Sequence, residues 1–257
     1  MTILNIAGYK FIALDNLADL QANLLAICRE LNIKGTILLS AEGININLAG
    51  LPENIDSFIA YLRADARFLD IPFHRSNSSF QPFNFLKVKI KKEIITMKLS
   101  SINPALTPAP SISPQEFKQW LDEGRDITIL DTRNDYEVRF GTFHNAINPN
   151  IENFTEFAET YKNLDPNKPV VMFCTGGIRC EKAAIQLQQE GFKEVYQLHR
   201  GILNYFKEVG NAHYDGECFV FDQRVSLDAN LEVTHTQQCK ICQGPIKQDT
   251  QHVCTGV

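Results

Sequence analysis

The chain reads as an α+β unit followed by an α/β unit with a parallel sheet and an irregular tail that carries cysteines. Three patterns support this. Residues 1–97 give the order β-α-β-β-α-β, and residues 113–210 alternate short apolar strands with helical periodicities. Residues 211–257 hold Cys218, Cys239, Cys242 and Cys254 and few periodic apolar runs. Prolines at 104, 108, 110 and 114 stand among serines and threonines, so residues 98–112 read as an extended linker.

In the first unit an apolar strand from about Ile3 to Leu14 ends at Asp15-Asn16, both good helix N-caps. Leu17, Leu20, Leu24, Ile27 and Leu31 then recur at helical spacing. Two strands, Thr36–Ser40 and Ile44–Leu48, flank Glu42-Gly43, where glycine supplies the permissive turn dihedral of a hairpin. Pro52 opens a second helix, where a missing N–H costs nothing, and Ile55, Phe58, Ile59 and Leu62 form its buried face. After a looser stretch, Leu86, Val88 and Ile90 alternate with Lys87, Lys89 and Lys91 in what reads as the last strand. This is the split βαβ arrangement of ferredoxin-like (acylphosphatase-like) domains. The lysine face has two readings: a solvated or protected sheet edge, or a phosphate-contacting patch with His74, Arg75 and Lys92 near in sequence.

The second unit opens at Ser113-Pro114-Gln115-Glu116, an N-cap, a first-turn proline and an acidic first turn. Ile127–Asp131, Val170–Phe173 and Val195–Leu198 read as its strands. Phe154, Phe157 and Tyr161 share a helix face, Ala183, Ala184 and Leu187 mark another helix, and Ile202–Val209 closes the unit.

Composition sets the class. Of 257 residues, 44% are apolar and 21% charged, and no apolar run approaches the roughly 20 residues of a membrane span. The start, Ile3–Phe11, lacks a basic leader and a cleavage pattern, so it reads as a strand of a cytoplasmic protein. Seven cysteines do not suggest a secreted disulfide scaffold. A net charge of −5 argues against coating nucleic acid by bulk electrostatics, though not against one local basic patch.

The most informative stretch is Val170–Lys182. Cys174 ends an apolar strand, a turn Thr175-Gly176-Gly177-Ile178 follows, and a helix begins near Arg179. Ligands of open α/β sheets sit at such strand ends. Two glycines let the backbone N–H groups of Thr175 through Arg179 converge, the helix adds its positive end, and Arg179 adds a charge. Together these lower the thiol pKa and prepare a nucleophile. A lone cysteine ending a buried strand is usually only packing; the glycine pair and arginine at this spacing reverse that reading. Cys180 reads as a helix-start packing residue, with a resolving thiol as the alternative.

Cys174-x4-Arg179, with Asp131-Thr132-Arg133 and Glu137 upstream and Leu198-His199-Arg200-Gly201-Ile202 downstream, resembles a rhodanese domain. In sulfurtransferases of that kind the loop has this length and its cysteine carries a persulfide, whereas related phosphatase loops are one residue longer. The resemblance places Asp131 and Arg133 beside the loop in supporting, architectural roles. The usual Gly-His-Ile-x-Gly-Ala stretch is replaced by Gly141-Thr142-Phe143-His144-Asn145-Ala146. Adding Lys34–Asn45 and Gly216–Arg224, nearly the whole chain is similar to the rhodanese-domain tRNA uridine hydroxylases. That resemblance implies oxygen-dependent 5-hydroxylation of the wobble uridine (U34) of tRNA, with Cys174 catalytic, tRNA as partner and molecular oxygen as co-substrate. No flavin, haem or non-haem iron motif is visible. A persulfide-forming sulfurtransferase and a non-enzymatic RNA-binding module are the alternatives, and the intact cysteine counts against the latter.

Cys239-Lys240-Ile241-Cys242 is half of a zinc-site pattern. Cys218 and Cys254 are the tail's remaining thiols, and His213, His235 and His252 lie in the same segment. Four ligands are needed and the spacing supplies two, so the expectation is no metal, with structural zinc as the alternative. In the family resembled, a further cysteine pair follows a Gly-Val like Gly256-Val257, which leads us to expect a truncated chain.

Overall fold

The computed structural model describes residues 2–99, 101–248, 252 and 254, so Gly256-Val257 and the expectation attached to them lie outside the described residues. The chain forms two compact units, Met1–Thr96 and Met97–Val257.

In the first unit, β1 (Ile3–Phe11) leads to α1 (Leu17–Glu30). Strands β2 (Lys34–Ser40) and β3 (Gly43–Gly50) form a hairpin, and α2 (Pro52–Arg63) follows. Next come β4 (His74–Ser78) and β5 (Leu86–Ile90). The sheet order is β4-β1-β3-β2-β5. Leu24, Ile37, Leu39, Ile44, Ile46, Phe58 and Phe68 are among the residues of its core. The hairpin glycine is needed for space as well as dihedral: Gly43 has φ +153°, and a Cβ there would lie 2.2 Å from the Lys10 carbonyl oxygen.

Two expectations are corrected here. The strand that completes the split βαβ is His74–Ser78, antiparallel to β1, and not the lysine strand. Leu86–Ile90 is a fifth strand, parallel to β2 on the opposite edge. The looser stretch hid β4 because an edge strand need not alternate apolar and polar residues. Second, neither Asp15 nor Asn16 caps α1 through its side chain. Asn16 sits at φ 47°, and its carbonyl accepts from the N–H groups of Asp19 and Leu20.

The second unit opens with β6 (Ser111–Ile112) and α3 (Pro114–Asp122), capped by the Ser113 hydroxyl, which accepts from the Glu116 N–H at 3.1 Å. Next are β7 (Thr128–Asp131), the short α4 (Asp135–Val138) and β8 (Gly141–Phe143). A 3₁₀ turn at Phe154–Glu159 buries Phe154 and Phe157, with Tyr161 close behind. Strand β9 (Val170–Phe173), α5 (Ile178–Gln189), β10 (Val195–Leu198) and α6 (Gly201–Val209) follow. The sheet is β6-β10-β9-β7, parallel throughout, with β9 interior and fully buried. The stretch expected as a linker lies within this unit: Ile102 and Ala109 are buried, and the Pro110 carbonyl accepts from the Gln197 N–H.

The tail is attached to the same unit. Strand β11 (Tyr214–Gly216) pairs with β8, and β12 (Cys218–Phe219) pairs with β13 (Ser226–Leu227). Strand β14 (Gln237–Gln238) pairs with β15 (Pro245–Ile246). Glu217 organises this segment: its carboxylate accepts from the hydroxyls of Ser226, Thr234 and Thr236 at 2.7, 3.0 and 2.9 Å.

Candidate active site

The Cys174 loop starts where interior strand β9 ends. Register pairs Asp131 with Phe173, which puts the end of β7 beside the loop. The Thr132 N–H and hydroxyl both donate to the Phe173 carbonyl, at 2.9 and 3.1 Å, fixing the residue before the cysteine. From the other side, α6 presents its first amides: Ile202 N–H donates to the Cys174 carbonyl at 3.0 Å and Leu203 N–H to the Thr175 carbonyl at 3.1 Å. Gly201, at φ +66°, permits this approach, since a Cβ there would lie 2.3 Å from the Cys174 carbonyl oxygen. The downstream Gly201-Ile202 motif is thus a clamp on the loop.

Within the loop the Gly177 N–H donates to Cys174 Sγ at 3.1 Å, and the Arg179 N–H is also directed to the sulfur. Cys174 is only 1% exposed. Burial alone would push its thiol up. A hydrogen bond from Cys180, the Arg179 charge and the two backbone donors outweigh that and bring it well below the ordinary thiol range. Burial and the neighbouring Cys174 sulfur push Cys180 up, so Cys180 keeps its proton and donates it. Its sulfur also lies 3.5 Å from the Thr132 hydroxyl. Cys180 thus stands beside Cys174 at the start of the helix.

Arg179 also has a partner of its own. Its charge does not stand free in the cradle: Nη1 and Nη2 donate to the Glu137 carboxylate at 2.6 and 2.8 Å, with both side chains buried. The guanidinium also lies 5.7 Å from the Phe221 ring centroid. Losing one partner of such a buried pair typically costs about 3–5 kcal/mol, so the pair braces the loop as well as holding the charge near Cys174. Glu137 was visible only as a motif member. The signal for its role is Asn134-x-x-Glu137, since Glu137 Oε2 also accepts from the Asn134 N–H at 3.1 Å.

Asp131 and Arg133 form a fully buried ion pair at 2.6 Å. Arg133 also donates to the Gly141 carbonyl at 2.7 Å, and Thr142 donates to Asp131 at 2.9 Å. These bonds tie the replaced stretch after Gly141 to β7. The tail closes the site's flank through the Thr175 hydroxyl, which donates to the Phe219 carbonyl at 3.4 Å. Cys218 is buried in the core, its thiol pushed up to about 12 by burial.

Strand, cysteine loop and helix on this parallel sheet define a rhodanese-like domain, and the model of that family matches residues 113–208. Residues 3–94 match the UPF0176 acylphosphatase like domain. The tRNA uridine(34) hydroxylase of Cupriavidus taiwanensis is 49% identical, covering 100% of this chain and 95% of that protein. The same-named protein of Ralstonia nicotianae is 49% identical, with 98% and 92% covered. A rhodanese-related protein of known structure from Thermoplasma volcanium is 28% identical over 39% of this chain and 93% of its own, with a TM-score of 0.34. The chain belongs to the tRNA uridine(34) hydroxylase family. Among the described residues no helix is long and apolar enough to cross a membrane.

Proposed function

We propose that this protein hydroxylates carbon 5 of the wobble uridine of tRNA, with molecular oxygen as co-substrate, in the cytoplasm. The observation that carries the proposal is full-length similarity to proteins named for that reaction, together with an intact, primed cysteine loop. Cys174 is the catalytic residue, and Thr175, Gly176, Gly177, Ile178 and Arg179 form the cradle around it. The N–H groups of Gly177 and Arg179 stabilise negative charge on its sulfur or on an atom attached to it. Asp131 and Arg133 hold the sheet end beneath the loop. Lys87 and Lys89, exposed on β5, and the neighbouring Lys91 supply phosphate contacts for tRNA.

Isotope labelling tests the oxygen source. Cells with this chain as their only such enzyme, grown under ¹⁸O₂, should yield 5-oxygenated uridine carrying the label. Nucleoside that is present but unlabelled would overturn the use of molecular oxygen, and its absence would overturn the reaction. The short loop with two amides on its sulfur also suits a persulfide, which favours sulfurtransfer as the second reading. Thiocyanate formation from thiosulfate and cyanide, at rates typical of a dedicated sulfurtransferase and without tRNA modification, would select it.

A further inference from the structure

We propose that the tail holds a structural zinc ion between Cys239, Cys242, His252 and Cys254, a site distinct from the cysteine loop. One ligand atom from each of these residues falls within 4.8 Å of the others. Cys239 Sγ and Cys254 Sγ are 4.0 Å apart, and Cys242 Sγ and His252 Nε2 are 3.5 Å apart. A tetrahedron with ordinary Zn–S and Zn–N bonds has S···S edges of about 3.8 Å and S···N edges of about 3.5 Å. The two separations fit it after shifts of a few tenths of an ångström. The fourth thiol that spacing allowed, Cys218, lies in the core and outside this cluster; His252 takes its place.

The backbone around the first two ligands is shaped for thiolates. Strands β14 and β15 hold Cys239-Lys240-Ile241-Cys242-Gln243-Gly244 as a tight knuckle, with Cys239 N–H donating to the Gly244 carbonyl at 2.9 Å and Gln243 at φ 58°. The Ile241 N–H donates to Cys239 Sγ at 3.5 Å, joined by that of Cys242, and the Gly244 N–H is directed to Cys242 Sγ. Amides aimed at the ligand sulfurs are the hydrogen bonds commonly made to metal-bound thiolates.

Charge and chemistry select the ion. Zinc(II) displaces three thiol protons to solvent and binds neutral imidazole, leaving a complex of net charge −1. The Arg139 guanidinium donates to the Cys242 carbonyl beside it. Three sulfurs and one nitrogen with no open position describe a structural rather than a catalytic zinc site. The knuckle is fitted to Arg139, because a Cβ on Gly244 would lie 2.9 Å from Arg139 Cζ. Arg139 directly follows α4, which carries Glu137, the partner of Arg179. The ion thus fastens the tail to the segment that braces the catalytic loop.

The test is metal analysis of the full chain, purified without chelators or metal-affinity resin. One zinc per chain is expected, falling by at least tenfold in Cys242→Ser and in Cys254→Ser. In case these variants misfold, unmodified chain stripped of metal is titrated with cobalt(II) alone. It should develop the intense visible bands of tetrahedral cobalt and the near-ultraviolet charge transfer of about three thiolates. No uptake of either metal, octahedral cobalt, stoichiometric iron in place of zinc, or unchanged zinc in folded Cys242→Ser would each overturn the proposal. So would a Cys239–Cys254 disulfide in the freshly purified chain.

Discussion

Cys174 is buried, and its neighbours offset what burial does to its thiol. Water is excluded from the sulfur, which by itself favours the neutral thiol. The donors that reverse this are the Cys180 thiol and the amides of Gly177 and Arg179, with the Arg179 charge behind them. Because the thiol lies below its ordinary range, the thiolate persists as pH falls to neutrality and is protonated only at more acid pH. Labelling of Cys174 by iodoacetamide, resolved by peptide mass spectrometry, should therefore be slow but nearly independent of pH between alkaline and neutral conditions. Cys180→Ala removes one charge-assisted donor and should move the fall-off upward by about one pH unit, whereas Cys180→Ser should largely restore it. An identical profile in Cys180→Ala would reduce Cys180 to packing. Spacing disclosed Cys174, but the role of Cys180 depends on a helical turn bringing it back beneath the sulfur. The partnership of Arg179 with Glu137, 42 positions upstream, depends on the chain returning through β9.

At the level of elements, the loop is held from two sides, by the end of β7 and by the first turn of α6. The α6 clamp can be isolated with a matched pair of glycines. Gly201 and Gly124 have nearly the same positive φ, +66° and +64°, but only Gly201 has neighbours where a Cβ would stand. Gly124→Ala should cost about 1–2 kcal/mol from backbone conformation alone. Gly201→Ala should cost a further 1–3 kcal/mol or so by overpacking and should displace the loop. Urea denaturation of the two variants checks this; equal losses would mean that α6 does not clamp the cysteine. Periodicity exposed the apolar strands β7, β9 and β10, because strands covered on both faces carry continuous apolar runs. It was silent on β4, His74-Arg75-Ser76-Asn77-Ser78, whose polar residues suit a sheet edge and whose Ser78 hydroxyl accepts from the buried Asn5 side chain at 3.0 Å. Missing β4 gave the lysine strand the wrong place in the sheet. The tail was opaque for a related reason: Glu217 gathers three hydroxyls spread over 11 residues, a pattern with no sequence period.

Across the whole molecule, chemistry is assigned to the unit Met97–Val257 and a basic edge strand to the unit Met1–Thr96. With a net charge of −5, binding to tRNA must come from local patches, and the β5 lysines are the proposed one. Replacing Lys87, Lys89 and Lys91 with alanine should weaken tRNA binding. It should also reduce the magnitude of the slope of log affinity against log salt by up to about three, one for each phosphate that a lysine no longer neutralises. An unchanged slope would make that edge merely solvated. The proposed tRNA reaction runs through Cys174. Its most direct test is mass spectrometry of tRNA nucleosides from cells whose only such enzyme is this chain, in the unaltered or the Cys174→Ser form at equal abundance. Catalysis by Cys174 requires 5-oxygenated uridine with the unaltered chain and its loss with Cys174→Ser; the same amount of modified nucleoside in both would rule it out.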